Sequence, residues 1–171
     1  MKSAMSLRRD LEKIRRLCDR ESYNRAFAAA SKLRQQWPDN AEVLVLWSNL
    51  LQLQEDDTGP ALEEAKKALQ KAVSLDEQNP MPWNELGQYL FVMEDDAKSA
   101  GDCFRKAIAL SRKYLKEALI NQAKTLMEKD RKAESLACLV EAYNLNGHDP
   151  KQNNKHNGAD LLEQMRALSV I

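Results

Sequence analysis

The chain has 171 residues, which suffices for one domain or a short array of repeats. Its 26 Lys and Arg residues balance its 26 Asp and Glu residues, which argues against nucleic acid as the main partner, because phosphate binding usually needs a basic face. No apolar run approaches the ~18 residues that cross a bilayer, and no apolar signal core follows the basic start, so we expect a cytoplasmic protein without membrane insertion.

Residue types that favour helices dominate the chain. Val, Ile and Thr, which strands favour, make up only 12 residues, whereas Ala, Leu, Glu, Lys and Gln are abundant. Turn sequences such as "PDN", "DDTGP" and "DEQNP" separate pieces of helical length that carry apolar residues at helical spacing. We therefore predict an all-α fold with eight medium helices and a ninth short one.

The predicted helices follow one another in pairs. "SLRRDLEKIRRLCD" precedes "SYNRAFAAASKLRQQW", and "AEVLVLWSNLLQLQ" precedes "ALEEAKKALQKAVSL". "PWNELGQYLFVM" precedes "AKSAGDCFRKAIALSRK", which leads with little punctuation into "YLKEALINQAKTLME" and then "KDRKAESLACLVEAYNL". A polar loop over 148–157 and an amphipathic helix over 158–171 close the chain. Such pairing indicates a repeat.

The helix pairs share a register of small and apolar residues. The second helices align as Ala26, Ala30 and Leu33; Ala65, Leu69 and Ala72; Ala100, Phe104 and Ala107; and Ser135, Leu139 and Ala142. The first helices align as Leu44, Trp47, Ser48 and Leu51; Trp83, Leu86, Gly87 and Leu90; and Leu119, Gln122, Ala123 and Leu126. Ser48, Gly87 and Ala123 thus share one register position, and a small residue there lets the second helix of the pair approach closely. We predict that Gly87 is a contact point between two backbones.

This register resembles the tetratricopeptide repeat family. "PWNELGQYL" is close to its W-x-x-L-G-x-x-Y/L signature, "SAGDCFRKAIAL" is similar to its second helix, and "WPDNAEV" is similar to its proline turn. The resemblance implies a single domain over 1–171. It would form a right-handed superhelical solenoid of about four helix–turn–helix pairs, over about 7–38, 41–77, 80–112 and 116–147. The helix at 158–171 would cover the exposed end of the last repeat, or alternatively bind a second copy of the chain.

The family resemblance also implies a concave groove, lined by the first helices, that receives an extended peptide or a partner helix. Carried onto this register, the groove residues are Val45, Leu46, Asn49, Met81, Asn84, Glu85, Gln88, Ile120, Asn121 and Lys124. The amides among them either form a ladder that satisfies a peptide backbone or simply solvate a polar groove. The Lys-Asn-Asn-Lys-Arg clamp of chaperone-binding relatives is matched only at Asn49, so we do not expect that ligand.

Reactive constellations are not apparent in the sequence. The three cysteines are far apart without a Cys-x-x-Cys spacing, and we interpret them as small apolar residues. His148 and His156 lie in the polar loop, where a solvated loop is expected more than a metal site. We therefore expect no catalytic residues, no metal and no cofactor.

The first predicted helix carries a basic stretch, "LRRDLEKIRRLCDR", which is interrupted by acidic residues. It is interpreted either as a solvated helix face or as a weak contact for an anionic surface. For the whole chain we predict a scaffold or adaptor that binds another protein. The alternative is a structural protein that forms homo-oligomers through its terminal helices or an exposed Trp37 face.

Overall fold

The computed structural model describes residues 4–53, 59–144, 163 and 165–167. Within these ranges every regular element is an α-helix, so the predicted all-α repeat fold is confirmed. The helices are α1 (Ala4–Asp19), α2 (Tyr23–Gln36), α3 (Ala41–Gln52), α4 (Gly59–Leu75), α5 (Pro80–Met93), α6 (Ala97–Glu128) and α7 (Lys132–Asn144). The loop at 148–157 and most of the helix predicted at 158–171 lie outside the described residues.

The chain contains two compact units, and the predicted single domain over 1–171 stays a prediction. The first unit is Met1–Ala107 and the second is Ile108–Ile171. The first unit contains α1 to α5 and the beginning of α6, and the second contains the rest of α6 together with α7. The predicted repeat boundaries stay a prediction.

Asparagine side chains start two of the first helices. The Asn40 side chain accepts a hydrogen bond from the Val43 backbone N–H at 3.1 Å, and Asn79 accepts one from the Met81 N–H at 3.0 Å. These caps satisfy backbone donors that have no partner inside the helix. Pro80, at the first turn of α5, costs nothing there because the N–H it lacks would be unpaired anyway. Each of these two predicted turn sequences, "PDN" and "DEQNP", therefore supplies the capping asparagine of the helix that follows it.

A residue with a left-handed backbone conformation follows three of the helices. Glu21, Asp95 and Asp130 have φ angles of 54°, 52° and 54° and follow the ends of α1, α5 and α6. The Ser22 N–H then donates to the Leu17 carbonyl at 2.9 Å, and the Arg131 N–H donates to the Leu126 carbonyl at 2.9 Å in the same way. After α5, the Asp96 N–H donates one residue further back, to the Leu90 carbonyl at 3.0 Å. Each turn reverses the chain, so that the next helix packs against the previous one.

The long helix α6 differs from the prediction. The sequence was divided into two helices near residues 113–115, but α6 runs for 32 residues without a break. The physical reason is that "SRKYLKEA" contains neither Pro nor Gly, and each added helical residue gains one backbone hydrogen bond. The second helix of the third pair and the first helix of the fourth pair are therefore one element.

The register residues lie in the core. In the first unit one continuous cluster joins α1 to α6, and Ala26, Ala65, Leu69 and Ala72 are completely buried within it. In the second unit the Ser135 hydroxyl donates to the Ala123 carbonyl at 2.9 Å, while Leu119 packs with the α7 core residues Ala142 and Tyr143. Small residues on facing helices thus set the packing distance in both units.

Gly87 contacts a side chain rather than a backbone, which corrects the prediction. A Cβ atom added at Gly87 would lie 2.7 Å from Cε1 and 2.9 Å from Cδ1 of Phe104. The aromatic ring from α6 therefore occupies the space that a small residue on α5 leaves. Ser48 and Ala123, at the same register position, are also fully buried.

Candidate functional site

The candidate site lies on α3 and α5, which are neighbouring first helices of the first unit. The Asn49 side-chain amide of α3 donates to the Glu85 carboxylate of α5 at 3.0 Å, and the Asn84 amide approaches the other Glu85 oxygen at 3.5 Å. All three side chains are half-buried. We call Asn49, Asn84 and Glu85 the amide–carboxylate cluster.

This cluster differs from the ladder of amides that the sequence suggested. The sequence analysis placed Glu85 in the groove but gave it no role, whereas the carboxylate accepts hydrogen bonds from both amides. Asn49 aligns with Gln88 in the repeat register, so its partner Glu85 lies three residues, or about one helical turn, before the equivalent position of the next repeat. The repeat register by itself therefore does not identify the contact.

The other predicted groove residues on α3 and α5 differ in their exposure to solvent. Leu46 and Met81 are half-buried and pack on the core, and Gln88 is exposed. Val45, which was expected to line a shallow pocket, is only 5% exposed. Val45 therefore belongs to the core, because its position on α3 faces the packed side of the helix.

The remaining predicted groove residues belong to the second unit. Ile120 is half-buried against the core of that unit, and Asn121 and Lys124 are exposed on α6. The backbone carbonyl of Asn121 accepts a hydrogen bond from the Thr125 hydroxyl at 3.1 Å. These three residues lie in Ile108–Ile171, and the other seven lie in Met1–Ala107.

An ion pair joins α1 to α3 in the first unit. The Arg15 guanidinium donates to the Glu42 carboxylate at 2.6 Å, and both side chains remain about half exposed. The sequence analysis did not predict this contact, because helical periodicity alone does not show which residues of two helices meet. Glu42 on α3 and Glu85 on α5 are thus two half-buried carboxylates on neighbouring first helices.

Trp47 and Trp83 are held by polar contacts at their indole N–H groups. Trp47 donates to the Glu64 carboxylate at 3.2 Å, and Trp83 donates to the Glu77 backbone carbonyl at 3.1 Å. The Arg34 guanidinium lies 5.0 Å from the Trp47 ring centre and also pairs with Glu64. These aromatic residues therefore fix helix positions within the first unit.

Two observations concern possible metal ligands and nucleophiles among the described residues. No group of three or more His, Cys, Asp or Glu residues there could hold a metal ion. Burial raises the pKa of the Cys103 thiol, with Asp102 and Asp96 adding to the effect, so the thiol stays protonated at neutral pH. His148 and His156 lie outside the described residues.

No helix within the described ranges is both long enough and apolar enough to span a membrane.

Successive helix–turn–helix pairs with small residues at one register position define a helical-repeat protein. Residues 61–79, which cover most of α4 and the turn after it, match the family model described as "Tetratricopeptide repeat". This match confirms the family resemblance that the sequence indicated.

Solved structures with a similar fold extend over nearly the whole chain. A structure titled as a Podosopora anserina putative kinesin light chain with nearly identical TPR-like repeats has a TM-score of 0.53 and 13% identity. The alignment covers 99% of this chain and 97% of that one. Two crystal structures of MamA have TM-scores of 0.49 and 0.46. The first is 18% identical, and its alignment covers 95% of this chain and 93% of that one. The second is 19% identical, and its alignment covers 91% of this chain and 96% of that one. No curated protein matches the chain.

Proposed function

We propose that the chain is a non-catalytic interaction module that binds an extended peptide or a partner helix over α3 and α5 of the first unit. Proteins built from tetratricopeptide repeats generally mediate protein–protein interactions. The observation that carries the proposal is the amide–carboxylate cluster, in which Glu85 holds the Asn49 and Asn84 amides on neighbouring first helices.

The cluster retains hydrogen-bonding capacity for a ligand. Each amide donates to Glu85 through its nitrogen, so the side-chain oxygens of Asn49 and Asn84 can accept from peptide N–H groups. Gln88 is exposed and supplies both a donor and an acceptor. A peptide backbone presents N–H and C=O groups in alternation, which this set of groups complements.

Apolar groups beside the cluster complete the surface. Leu46 on α3 and Met81 on α5 are half-buried, so part of each side chain remains available to a ligand. Burial of such partly exposed apolar area stabilises a complex by about 25 cal/mol per Å² before the costs of association. The polar cluster would then orient the ligand while these side chains contribute affinity.

A photo-crosslinking amino acid at Gln88 tests the proposal directly. The matched control places the same amino acid at Gln70, an exposed glutamine on the second helix α4. We expect a partner to be captured in cell extract from position 88 and not from position 70. The captured segment, synthesised as a peptide, should bind the Asn84→Ala/Gln88→Ala variant about tenfold more weakly, without a change in melting temperature. Equal capture at both positions, or unchanged affinity, would contradict the proposal.

The same experiment separates this function from self-association. Trp37, which that alternative required to be exposed, is half-buried and packs against the core of the first unit. A crosslinked product with twice the mass of the chain, together with light scattering that grows with concentration, would favour homo-oligomers instead.

A further inference from the structure

The helix α1 carries a row of basic side chains on one exposed face. Arg9, Lys13, Arg16 and Arg20 are spaced four, three and four residues apart, so they lie above one another on the helix surface. All four are exposed. We call this set the basic row.

Most of the basic row has no acidic partner within the described residues. Arg16 is 3.9 Å from Glu12, which also pairs with Arg8 at 3.5 Å, and the other three cations form no ion pair there. Like charges one helical turn apart destabilise a helix. The arrangement therefore carries a cost in α1 that the Arg16–Glu12 pair offsets only in part.

A depression of about 380 Å³ lies against the basic row. The described residues that line it are Arg9, Glu12, Lys13, Arg16, Leu17 and Arg20, all from α1. Leu17 is half-buried and gives the depression one apolar wall. The part of its wall that these residues form is therefore cationic, with a small apolar component.

The basic row is separate from the amide–carboxylate cluster. Arg15 contacts Glu42 of α3. Because each residue of a helix advances by about 100° around the axis, Arg15 lies roughly 130° from the centre of the basic row. A ligand on the basic row would therefore approach α1 from another side than a ligand on α3.

We propose that the basic row binds an acidic polypeptide segment of a partner protein, in addition to the ligand of α3 and α5. The row extends about 16 Å at 1.5 Å per residue, which is the length of three turns of a helix. A partner helix with Glu or Asp residues at the same four, three and four spacing places one carboxylate near each cation. Leu17 then contacts an apolar residue between the carboxylates.

Other anionic partners fit this face less well. Membrane-surface helices insert an apolar face, but Leu11 and Ile14 of α1 are buried in the protein core. Nucleic-acid sites combine a basic surface with exposed aromatic side chains, and Glu12 places a carboxylate at the edge of this row. Discrete carboxylates on a polypeptide can avoid Glu12, whereas a continuous row of phosphates cannot.

Fluorescence anisotropy with a defined probe tests the inference. The probe is a fluorescein-labelled helical peptide with four glutamates at the spacing of the basic row and a leucine between them. The comparison peptide has the same composition with its glutamates distributed around the helix. We expect the matched peptide to bind the intact chain at low salt at least about fivefold more tightly, with affinity falling as salt rises.

Two charge variants make the test specific. Replacing Arg9, Lys13, Arg16 and Arg20 by Gln should weaken binding of the matched peptide about tenfold, as expected for the loss of four exposed ion pairs. Replacing Lys106, Lys113, Lys129 and Lys132 by Gln removes the same charge from other exposed positions and should change affinity less than about twofold. Replacing Arg9, Arg16 and Arg20 by Lys keeps the charge and should retain most of the binding.

Several results would overturn the inference. Equal loss of affinity in the two neutralised variants, or equal binding of the two peptides, would show an effect of net charge alone. Tighter binding of phosphatidylserine vesicles or of a labelled single-stranded RNA, lost only in the basic-row variant, would assign the face to another class of partner. Circular dichroism of the variants verifies that α1 stays folded.

Discussion

The ring of Phe104 occupies the position next to the α-carbon of Gly87, where a Cβ atom would come within 2.7 Å of the ring carbon Cε1. The contact joins the two helices of the third pair within the first unit. Glycine in the middle of a helix costs roughly 1 kcal/mol relative to alanine. Close packing against an aromatic ring offsets that cost, which explains why α5 contains a glycine near its middle.

A pair of glycine substitutions measures this contact. Gly87→Ala should reduce the free energy of unfolding by about 1 kcal/mol, because overpacking against Phe104 exceeds the gain in helix propensity. Gly101→Ala on α6 is the control, since its Cβ would meet only the flexible end of Arg105 at 3.4 Å. That control should stabilise the protein by up to ~1 kcal/mol. Urea unfolding of both variants checks the opposite signs, and a shared sign would contradict the contact.

Removal of one buried hydroxyl should weaken the contact between α4 and α5. The Tyr89 hydroxyl donates to the Leu62 backbone carbonyl at 2.8 Å, and Tyr89 is 3% exposed. Tyr89→Phe should therefore lower the free energy of unfolding by about 1 kcal/mol. Tyr114→Phe is the control, because Tyr114 is 48% exposed and should change stability by less than about 0.5 kcal/mol. Equal effects of the two substitutions would argue against the hydrogen bond.

The start of α6 should make stability depend on pH. Hydrogen bonds from the Ser99 hydroxyl and backbone N–H lower the pKa of the Asp96 carboxyl below its ordinary value of about 3.9. A folded-state pKa below the unfolded one gives a contribution that is complete above pH ~4 and is lost as pH falls through the folded pKa. We expect Asp96→Ala to have a lower melting temperature than the wild type near pH 7 and a smaller deficit at about pH 3.

Asp96→Asn is the matched control for this pH effect. Asparagine keeps an oxygen that can accept the Ser99 hydrogen bonds, but it does not titrate. The difference in melting temperature between Asp96→Asn and Asp96→Ala should therefore stay nearly constant over the same pH range. A wild-type advantage over Asp96→Ala that does not decrease in acid would contradict the role of this carboxylate.

The second unit can be tested at Ser135, whose side chain is completely buried on α7. Ser135→Ala removes the 2.9 Å hydrogen bond to the Ala123 carbonyl and should cost about 1 kcal/mol. Ser135→Leu should cost about 1–3 kcal/mol more, because no space exists for the added methyl groups. Amide hydrogen exchange over residues 116–144 measures both effects locally. Equal tolerance of alanine and leucine would show that this register position needs no small residue.

The amino-acid sequence by itself determined the helical character of the chain and the register of its repeats. Alanines at fixed spacing and a low content of β-branched residues act within one or two turns, so they are readable without coordinates. The small residues Ser48, Gly87 and Ala123 could be aligned for the same reason. The position of Val45 in the core was missed because it depends on which residues meet across helices. The continuity of α6 was missed although "SRKYLKEA" contains no Pro or Gly that would break a helix.

Only the tertiary structure decided which groups meet across helices. Helical periodicity states which face of a helix is apolar, but it does not fix the rotation and offset between two packed helices. The Phe104 ring beside Gly87 and the Glu85 carboxylate between Asn49 and Asn84 both follow from that offset. The candidate site is therefore a product of how α3, α5 and α6 pack in the first unit, which local sequence signals do not encode.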